Sequence, residues 1–123
     1  MTNDPARRKA YPITRGVLDY FPDAVAEVAH VSLVGNEQHN PGQPLHWAKE
    51  KSTDEADALV RHLLERGKFD SDGLRHTAKV AWRALALLQR ELEAANVSTA
   101  NRADLDSSAG HLGDSDATGF KSS

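Results

Sequence analysis

One stretch of the sequence, from Ser52 to Gly67, has the complete pattern of an amphipathic helix. Ser52 and Glu55 have the spacing of a capping box, which satisfies the free amides of a first helical turn. Gly67 can adopt the left-handed conformation that ends many helices. The apolar residues between these ends recur at the period of one helical stripe, and they are Ala56, Leu59, Val60, Leu63 and Leu64. This helix must therefore bury one face against another element.

Two further stretches follow a helical period. The first covers Pro22 to Val34, because proline suits the first helical position and Gly35 follows as a stop signal. The other begins near Asp72 and continues to about Ala95. The side chains expected to face inward are Val25, Val28, Ala29 and Leu33 in the former, and Leu74, Ala78, Ala81, Trp82, Leu85, Leu88 and Leu92 in the latter. We therefore predict an all-α fold, a small bundle of three main helices.

The three helices define one domain, residues 16–95, as 123 residues allow only a small core. Residues 1–15 are polar and basic and are expected to form a flexible arm. Residues 96–123 are small and polar, which predicts a disordered tail. The third helix is longer than its partners can cover, so its apolar end predicts burial against a second copy, in a homodimer or a higher homo-oligomer.

The composition and the missing motifs exclude several kinds of site and several classes of protein. The chain has no cysteine, which rules out disulfides and thiolate metal sites. A net charge of -3 gives no general attraction for nucleic acid polymers or anionic membranes. No apolar run approaches the roughly 18 residues of a membrane span, and no signal-peptide pattern is present, so we expect a cytoplasmic protein. Glycine-rich phosphate loops and the G-x-S-x-G pattern are also missing.

Carboxylates accompany each of the predicted helices. Glu27 belongs to the first, Asp54 and Asp57 lie three residues apart on the second, and Asp70 and Asp72 precede the third. Acids on facing helices are a common way to bind Mg²⁺ or Mn²⁺ inside a bundle, although acids at this spacing also occur on solvated faces. Such an ion would bridge phosphate oxygens and activate water. The cations expected to neutralise phosphate charge are Lys51, Arg61 and Lys79.

The stretch from Gly35 to Lys51 is predicted to be a loop rich in polar and aromatic groups. Long polar loops that contain a tryptophan are often functional, although Trp47 could instead cap the core. The histidines His30, His39, His46, His62 and His76 could in principle bind zinc, but their spacings match no compact zinc motif. His62 could also be a hydrogen-bonded histidine at the edge of the core.

Three successive blocks carry a resemblance to a known family: YFPDAVAEVAHVSLVGNEQHNPGQPLHW, KSTDEADALVRHLLERG and DSDGLRHTAKVAWRALALL. Together, over about residues 10 to 93, they resemble the mostly phage-encoded dATP/dGTP diphosphohydrolases, which are similar to all-α MazG-like nucleotide pyrophosphohydrolases. The resemblance implies Mg²⁺- or Mn²⁺-dependent cleavage of a (deoxy)nucleoside triphosphate into monophosphate and diphosphate. MazG-like enzymes present E-x-x-E and E-x-x-D, whereas this chain has Glu27-x-x-His30 and Asp54-x-x-Asp57.

We therefore expect an enzyme that edits the nucleotide pool, in the host cytoplasm if the chain is phage-encoded. The expected metal ligands are Glu27, His30, Asp54 and Asp57. The expected catalytic residues are His62, His76, Asp70 and Asp72. The expected substrate-binding residues are Asn36, Glu37, His39, Asn40, Trp47, Lys51, Arg61 and Lys79. The alternatives are a nucleotide-binding protein without catalysis, because the acid pattern is incomplete, and an oligomeric interaction protein without a ligand.

Overall fold

The computed structural model describes residues 4–51 and 53–109, and the regular elements of this part are helices. They are α1 (Pro5–Lys9), a π-helical turn (Thr14–Leu18), α2 (Pro22–His39), a 3₁₀ turn (Lys49–Lys51), α3 (Glu55–Leu64) and α4 (His76–Ala109). The prediction of an all-α fold with three main helices is confirmed by α2, α3 and α4. The chain divides into two compact units, residues 1–87 and 88–123, with the division inside α4.

Helix α2 is longer than the sequence predicts. Gly35 was expected to end it, yet the helix continues to His39. A glycine in a helix interior costs only about 1 kcal/mol relative to alanine, so it does not by itself stop a helix. The end comes instead at Asn40, whose N–H donates to the carbonyl of Asn36 at 2.7 Å, because the following Pro41 disfavours further helix.

Helix α3 is shorter than predicted and starts later. Asp54 is its N-cap, without a side-chain hydrogen bond to the helix, so Glu55 is the first helical residue and not the third. The predicted capping box is therefore wrong in the position of Glu55, and Ser52 lies outside the described residues. Gly67 has a φ of 85°, which confirms the predicted left-handed residue after this helix.

A tight loop, residues 68–75, replaces the predicted first turn of α4. Phe69 and Arg75 form an antiparallel bridge across it, and the N–H of Asp70 donates to the carbonyl of Leu74 at 2.7 Å. Gly73 has a φ of 84°, a conformation that other residues rarely adopt. Because backbone groups of the loop form hydrogen bonds with one another in this way, α4 begins at His76 and not near Asp72.

Both chain ends have more helix than predicted. Helix α4 passes Ala95 and reaches Ala109, within the segment predicted as a tail. Residues 96–109 contain neither glycine nor proline, so nothing in that segment breaks the helix before Gly110. Helix α1 lies in the predicted arm, where Asp4 caps it by accepting a hydrogen bond from the N–H of Ala6 at 3.1 Å. Residues 1–3 and 110–123 lie outside the described residues.

The buried core of the first unit is small, and it consists of small side chains together with one leucine. Its buried apolar residues are Ala58, Leu74, Ala78 and Ala86. Of the side chains predicted to face inward, Val25 and Val28 are half-buried, but Ala29 and many leucines are exposed. The exposed leucines are Leu33, Leu63, Leu64 and Leu85 in this unit and Leu88 and Leu92 in the second. The predicted second copy that would cover such side chains remains a prediction. Within the described residues no helix has both the length and the apolar character for crossing a membrane.

Two glycines offer a matched test of this backbone. Gly35 lies in the interior of α2 with open space where a Cβ would point, so Gly35→Ala is expected to stabilise the chain by about 0.5–1 kcal/mol. Gly73→Ala is expected to destabilise it by about 1–2 kcal/mol, because alanine disfavours the positive φ. Urea unfolding of both variants measures the difference. Equal effects of the two substitutions would contradict the described loop.

Candidate functional site

A cavity of ≈ 710 Å³ lies within the first compact unit. Its wall comes from the second half of α2, the following loop, α3 and the start of α4. Eight of the residues predicted as site residues line it: Asn36, His39, Asn40, Trp47, Asp54, His62, Asp72 and Lys79. The lining also includes residues that were not predicted as site residues, among them Ser32, Gln38, His46, Trp82 and Arg83.

Lys79 of α4 connects the cavity wall to the loop before that helix. Its Nζ donates to Oδ2 of Asp70 at 2.6 Å and to Oδ2 of Asp72 at 2.7 Å. All three side chains are mostly shielded from solvent, with exposures of 17%, 28% and 16% respectively. Gln38 of α2 donates a further hydrogen bond to Asp72 at 3.2 Å. Charged groups withdrawn from water are stable when paired and hydrogen-bonded, as they are here.

The ion pairs shift the protonation equilibria of all three groups. Hydrogen bonds from Lys79 and from the N–H of Ser71 lower the pKa of Asp70 to about 2. Burial alone would raise the pKa of Asp72, but hydrogen bonds from Lys79, the N–H of Leu74 and Gln38 lower it overall. Burial likewise opposes the charge of Lys79, yet its two carboxylate partners raise its pKa. At neutral pH the cluster therefore holds two negative charges and one positive charge.

Two histidines face each other beside this cluster. Nδ1 of His62, on α3, lies 2.9 Å from Nδ1 of His76, the first residue of α4. One of the two nitrogens must carry a hydrogen and donate it to the other. Burial and the positive charge of Lys79 lower the pKa of His62, against the opposing effect of Asp70. The neutral imidazole, which is the form that binds metal ions, is thus favoured at His62.

His62, Asp70 and His76 form a candidate metal-binding triad. One ligand atom from each can be chosen so that all three lie within 4.8 Å of one another. Nδ1 of His62 and Nδ1 of His76 lie 2.9 Å apart, so both nitrogens could reach one metal ion. All three were expected to be catalytic residues, although Asp70 was also among the acids considered for Mg²⁺ or Mn²⁺ and the two histidines were among those considered for zinc. Their spacing spans a helix, a loop and the next helix, so no local motif indicates the triad.

The predicted metal ligands lie elsewhere. Glu27 and His30 are exposed on α2, and Asp57 is exposed on α3. Asp54 lines the cavity, where its carboxylate lies 3.7 Å from the guanidinium of Arg83. Among residues 4–51 and 53–109 these four residues do not form a group comparable to the triad. Their joint role as ligands stays a prediction.

The remaining predicted substrate residues divide between the cavity and the surface. Glu37 and Arg61 are exposed and are not among the cavity-lining residues, and Lys51 ends the 3₁₀ turn. Asn36 is buried, and its side chain holds the loop after α2. Its Nδ2 donates to the carbonyl of Gln43 at 2.9 Å, while its Oδ1 accepts from the N–H of His46 at 3.2 Å. In this arrangement its amide positions the loop.

Two tryptophans form an aromatic wall of the cavity. The rings of Trp47 and Trp82 pack edge to face, with centroids 5.4 Å apart. The N–H of Trp82 donates to Oγ of Ser32 at 2.7 Å, while Nε1 of Trp47 is buried and has no hydrogen-bond partner within the described part of the chain. The helical period of the third predicted helix assigned Trp82 to the core, and the structure shows that it also lines the cavity. An aromatic wall of this kind can pack against a planar ligand.

The substitution Lys79→Met tests the origin of the Asp70 shift. Without the ammonium the pKa of Asp70 should rise from about 2 toward its ordinary value of about 3.9, as followed by the ¹³C shift of its carboxyl carbon. A lowered pKa means that Asp70 stabilises the fold above pH about 4 and loses this contribution as the pH falls through about 2. The variant should lose that pH dependence. Lys68→Met is the control, because Lys68 pairs at the surface with Glu65. An unchanged pKa of Asp70 in Lys79→Met would refute the assignment.

Comparison with known proteins adds one finding. The family described as "dATP/dGTP diphosphohydrolase, N-terminal" matches residues 4–100. Searches of curated proteins and of solved structures gave no match. The matched segment contains the cavity, the triad and Lys79.

Proposed function

We propose that this chain, which belongs to the dATP/dGTP diphosphohydrolase N-terminal family, hydrolyses purine deoxynucleoside triphosphates to a monophosphate and diphosphate. The observation that carries this proposal is the triad of His62, Asp70 and His76 beside a cavity with an aromatic wall. A nucleotide has a planar base and a polyanionic end, and the cavity offers aromatic rings for one and Lys79 and Arg83 for the other. Such an enzyme would edit the deoxynucleotide pool of the cytoplasm.

The donor atoms of the triad fit a divalent metal ion. Two imidazole nitrogens and one carboxylate suit Mn²⁺ better than Mg²⁺, which prefers oxygen ligands. Mn²⁺ is one of the two ions that the resemblance implies, and His62, Asp70 and His76 would hold it. When bound, such an ion supplies an acidified water and neutralises phosphate charge.

The side chains around the triad prepare it for this role. Asp70 is an anionic ligand across the physiological pH range, and the hydrogen bond from Lys79 lowers its pKa further, to about 2. Burial and the charge of Lys79 lower the pKa of His62, which favours the neutral ring that a metal requires. In the metal-free chain the two Nδ1 atoms lie within hydrogen-bond distance, so the histidine pair can hold a proton beside the cavity.

Product analysis tests the proposal. Purified protein is incubated with dATP, dGTP, dCTP or dTTP and with Mg²⁺ or Mn²⁺, and the products are separated by chromatography. We expect purine monophosphate and diphosphate, formed faster with Mn²⁺ and not at all with chelator. His76→Gln leaves the Lys79 ion pairs in place and should lower turnover by about 100-fold or more, because it removes a ligand and not only an outer-shell partner.

Asp57→Asn and Glu27→Gln are the matched comparison, because they alter the ligands predicted from sequence outside the triad. Turnover that survives in these variants and fails in His76→Gln supports the triad. The reverse result would move the metal to the acids of α2 and α3. Intact nucleotide under every condition would replace the enzyme with a nucleotide-binding protein that does not cleave its ligand.

We also propose that the chain associates with a second copy of itself through α3. Val60 and Leu64 of this helix are 52% and 71% exposed. These exposed fractions are larger than expected for side chains in the apolar stripe of a stable bundle. Leu64→Glu should therefore lower the molar mass measured by light scattering, whereas Lys68→Glu, beyond the stripe, should not. A wild-type chain that is monomeric at all concentrations would refute this proposal.

A further inference from the structure

We propose that Lys79 is an exchangeable counterion. A divalent cation at the triad takes Asp70 from Lys79, and the released ammonium becomes a phosphate ligand at the cavity wall. The metal exchange concerns the chain alone, whereas the phosphate step rests on the proposed function. Three features of the site support it: the double role of Asp70, the charge balance of the cluster and the position of Lys79.

Asp70 belongs to two sets of contacts at once. Its Oδ2 accepts from Lys79 at 2.6 Å and its Oδ1 accepts from the N–H of Ser71 at 2.7 Å. It is also the only carboxylate of the triad, so a metal ion bound there must take one of these oxygens. A divalent ion is the stronger competitor for Oδ2, because its charge is twice that of an ammonium at a comparable distance.

The net charge of the cluster changes sign when a divalent ion binds. The charges of Asp70, Asp72 and Lys79 sum to -1, which repels a triphosphate. A divalent ion raises the sum to +1, which attracts one. The metal-free cluster thus disfavours nucleotide, and metal and nucleotide should bind with positive cooperativity.

Lys79 lies where its ammonium can contact a phosphate once the metal ion has bound. Its side chain lines the cavity, and it has a second partner in Asp72, 2.7 Å away. Asp72 is in turn held by Gln38 and by the N–H of Leu74. When the contact with Asp70 is lost, the ammonium therefore stays anchored at the cavity wall through Asp72. It can then donate a hydrogen bond to a phosphate oxygen.

Binding of Mn²⁺ alone tests the exchange, with free Mn²⁺ measured by electron paramagnetic resonance. Lys79→Met should bind Mn²⁺ about 10-fold or more tightly than wild type, because a competing and repelling charge is gone. Lys79→Arg keeps the charge and should bind close to wild type. Arg83→Met is the matched control and should change the Mn²⁺ affinity much less than Lys79→Met. Arg83 also lines the cavity, but it pairs with Asp54 outside the triad. Thermal unfolding of each variant confirms that it is folded.

Binding of dAMP, the proposed product, tests the phosphate step. Its single phosphate competes only weakly with the protein for Mn²⁺. In wild type, Mn²⁺ should raise the affinity for dAMP by about 5-fold or more, in the usual range of coupling between sites. The increase should disappear in Lys79→Met and persist in Arg83→Met, even if the latter binds dAMP more weakly throughout.

Each of the other possible results refutes one defined part of the proposal. Equal or weaker Mn²⁺ binding by Lys79→Met refutes the exchange, as does the absence of Mn²⁺ binding by wild type. Coupling that persists in Lys79→Met refutes the phosphate role, and so does wild type that binds Mn²⁺ but shows no coupling with dAMP. Failure of hydrolysis, with exchange and coupling intact, would refute the proposed enzyme alone.

Discussion

The contact of one ammonium with two carboxylates organises the site. Lys79 ties the second turn of α4 to the loop before it, and this loop determines where α4 begins. Since His76 is the first residue of that helix, the ion pairs also set the position of one imidazole relative to His62 on α3. Burial costs the three charged groups hydration, which their mutual contacts offset. The loop, the helix start and the triad are therefore one arrangement.

The cavity has a second support in the loop that follows α2. Asn36 is 5% exposed and binds the backbone of the loop after α2 at two points, Gln43 and His46. That loop leads to Trp47, which packs on Trp82 of α4. A buried side-chain amide that satisfies backbone groups allows an irregular segment to form a cavity wall. Ion pairs thus hold one wall of the cavity, and a buried amide and two indoles hold another.

Much of the fold could be predicted from periodicity, because an apolar stripe needs only local spacing. The positions of helix ends could not, since they depend on contacts beyond the stripe. Gly35 looks like a stop until Asn40 and Pro41 supply a later one. The loop at 68–75 replaces a predicted helical turn. A β-bridge pairs backbone groups across this loop, and a glycine with a positive φ allows the chain to turn. Leu64 matches an inward stripe, yet it is 71% exposed in the part of the chain that the structure describes.

The sequence names the residues of the candidate site but does not show how they group. Asp70, Asp72, His62, His76 and Lys79 were all named from sequence, because acids, imidazoles and an amine near a predicted turn have clear chemistry. Which of them meet depends on how α3 and α4 approach through the loop, and spacing on a single helix carries no such information. In the sequence, Glu27 and Asp57 resemble Asp70 as possible ligands. In the fold Asp70 lies close to His62 and His76, and the role of Glu27 and Asp57 stays a prediction.

The aromatic wall makes the cavity visible to spectroscopy. The chain has two tryptophans, and both line the cavity. With excitation selective for indole, the ultraviolet emission of the unmodified chain originates at that wall, without background from other indoles. The two rings are close enough for their transitions to couple. Emission and near-ultraviolet circular dichroism thus report on what occupies the cavity, and the chain needs no attached dye.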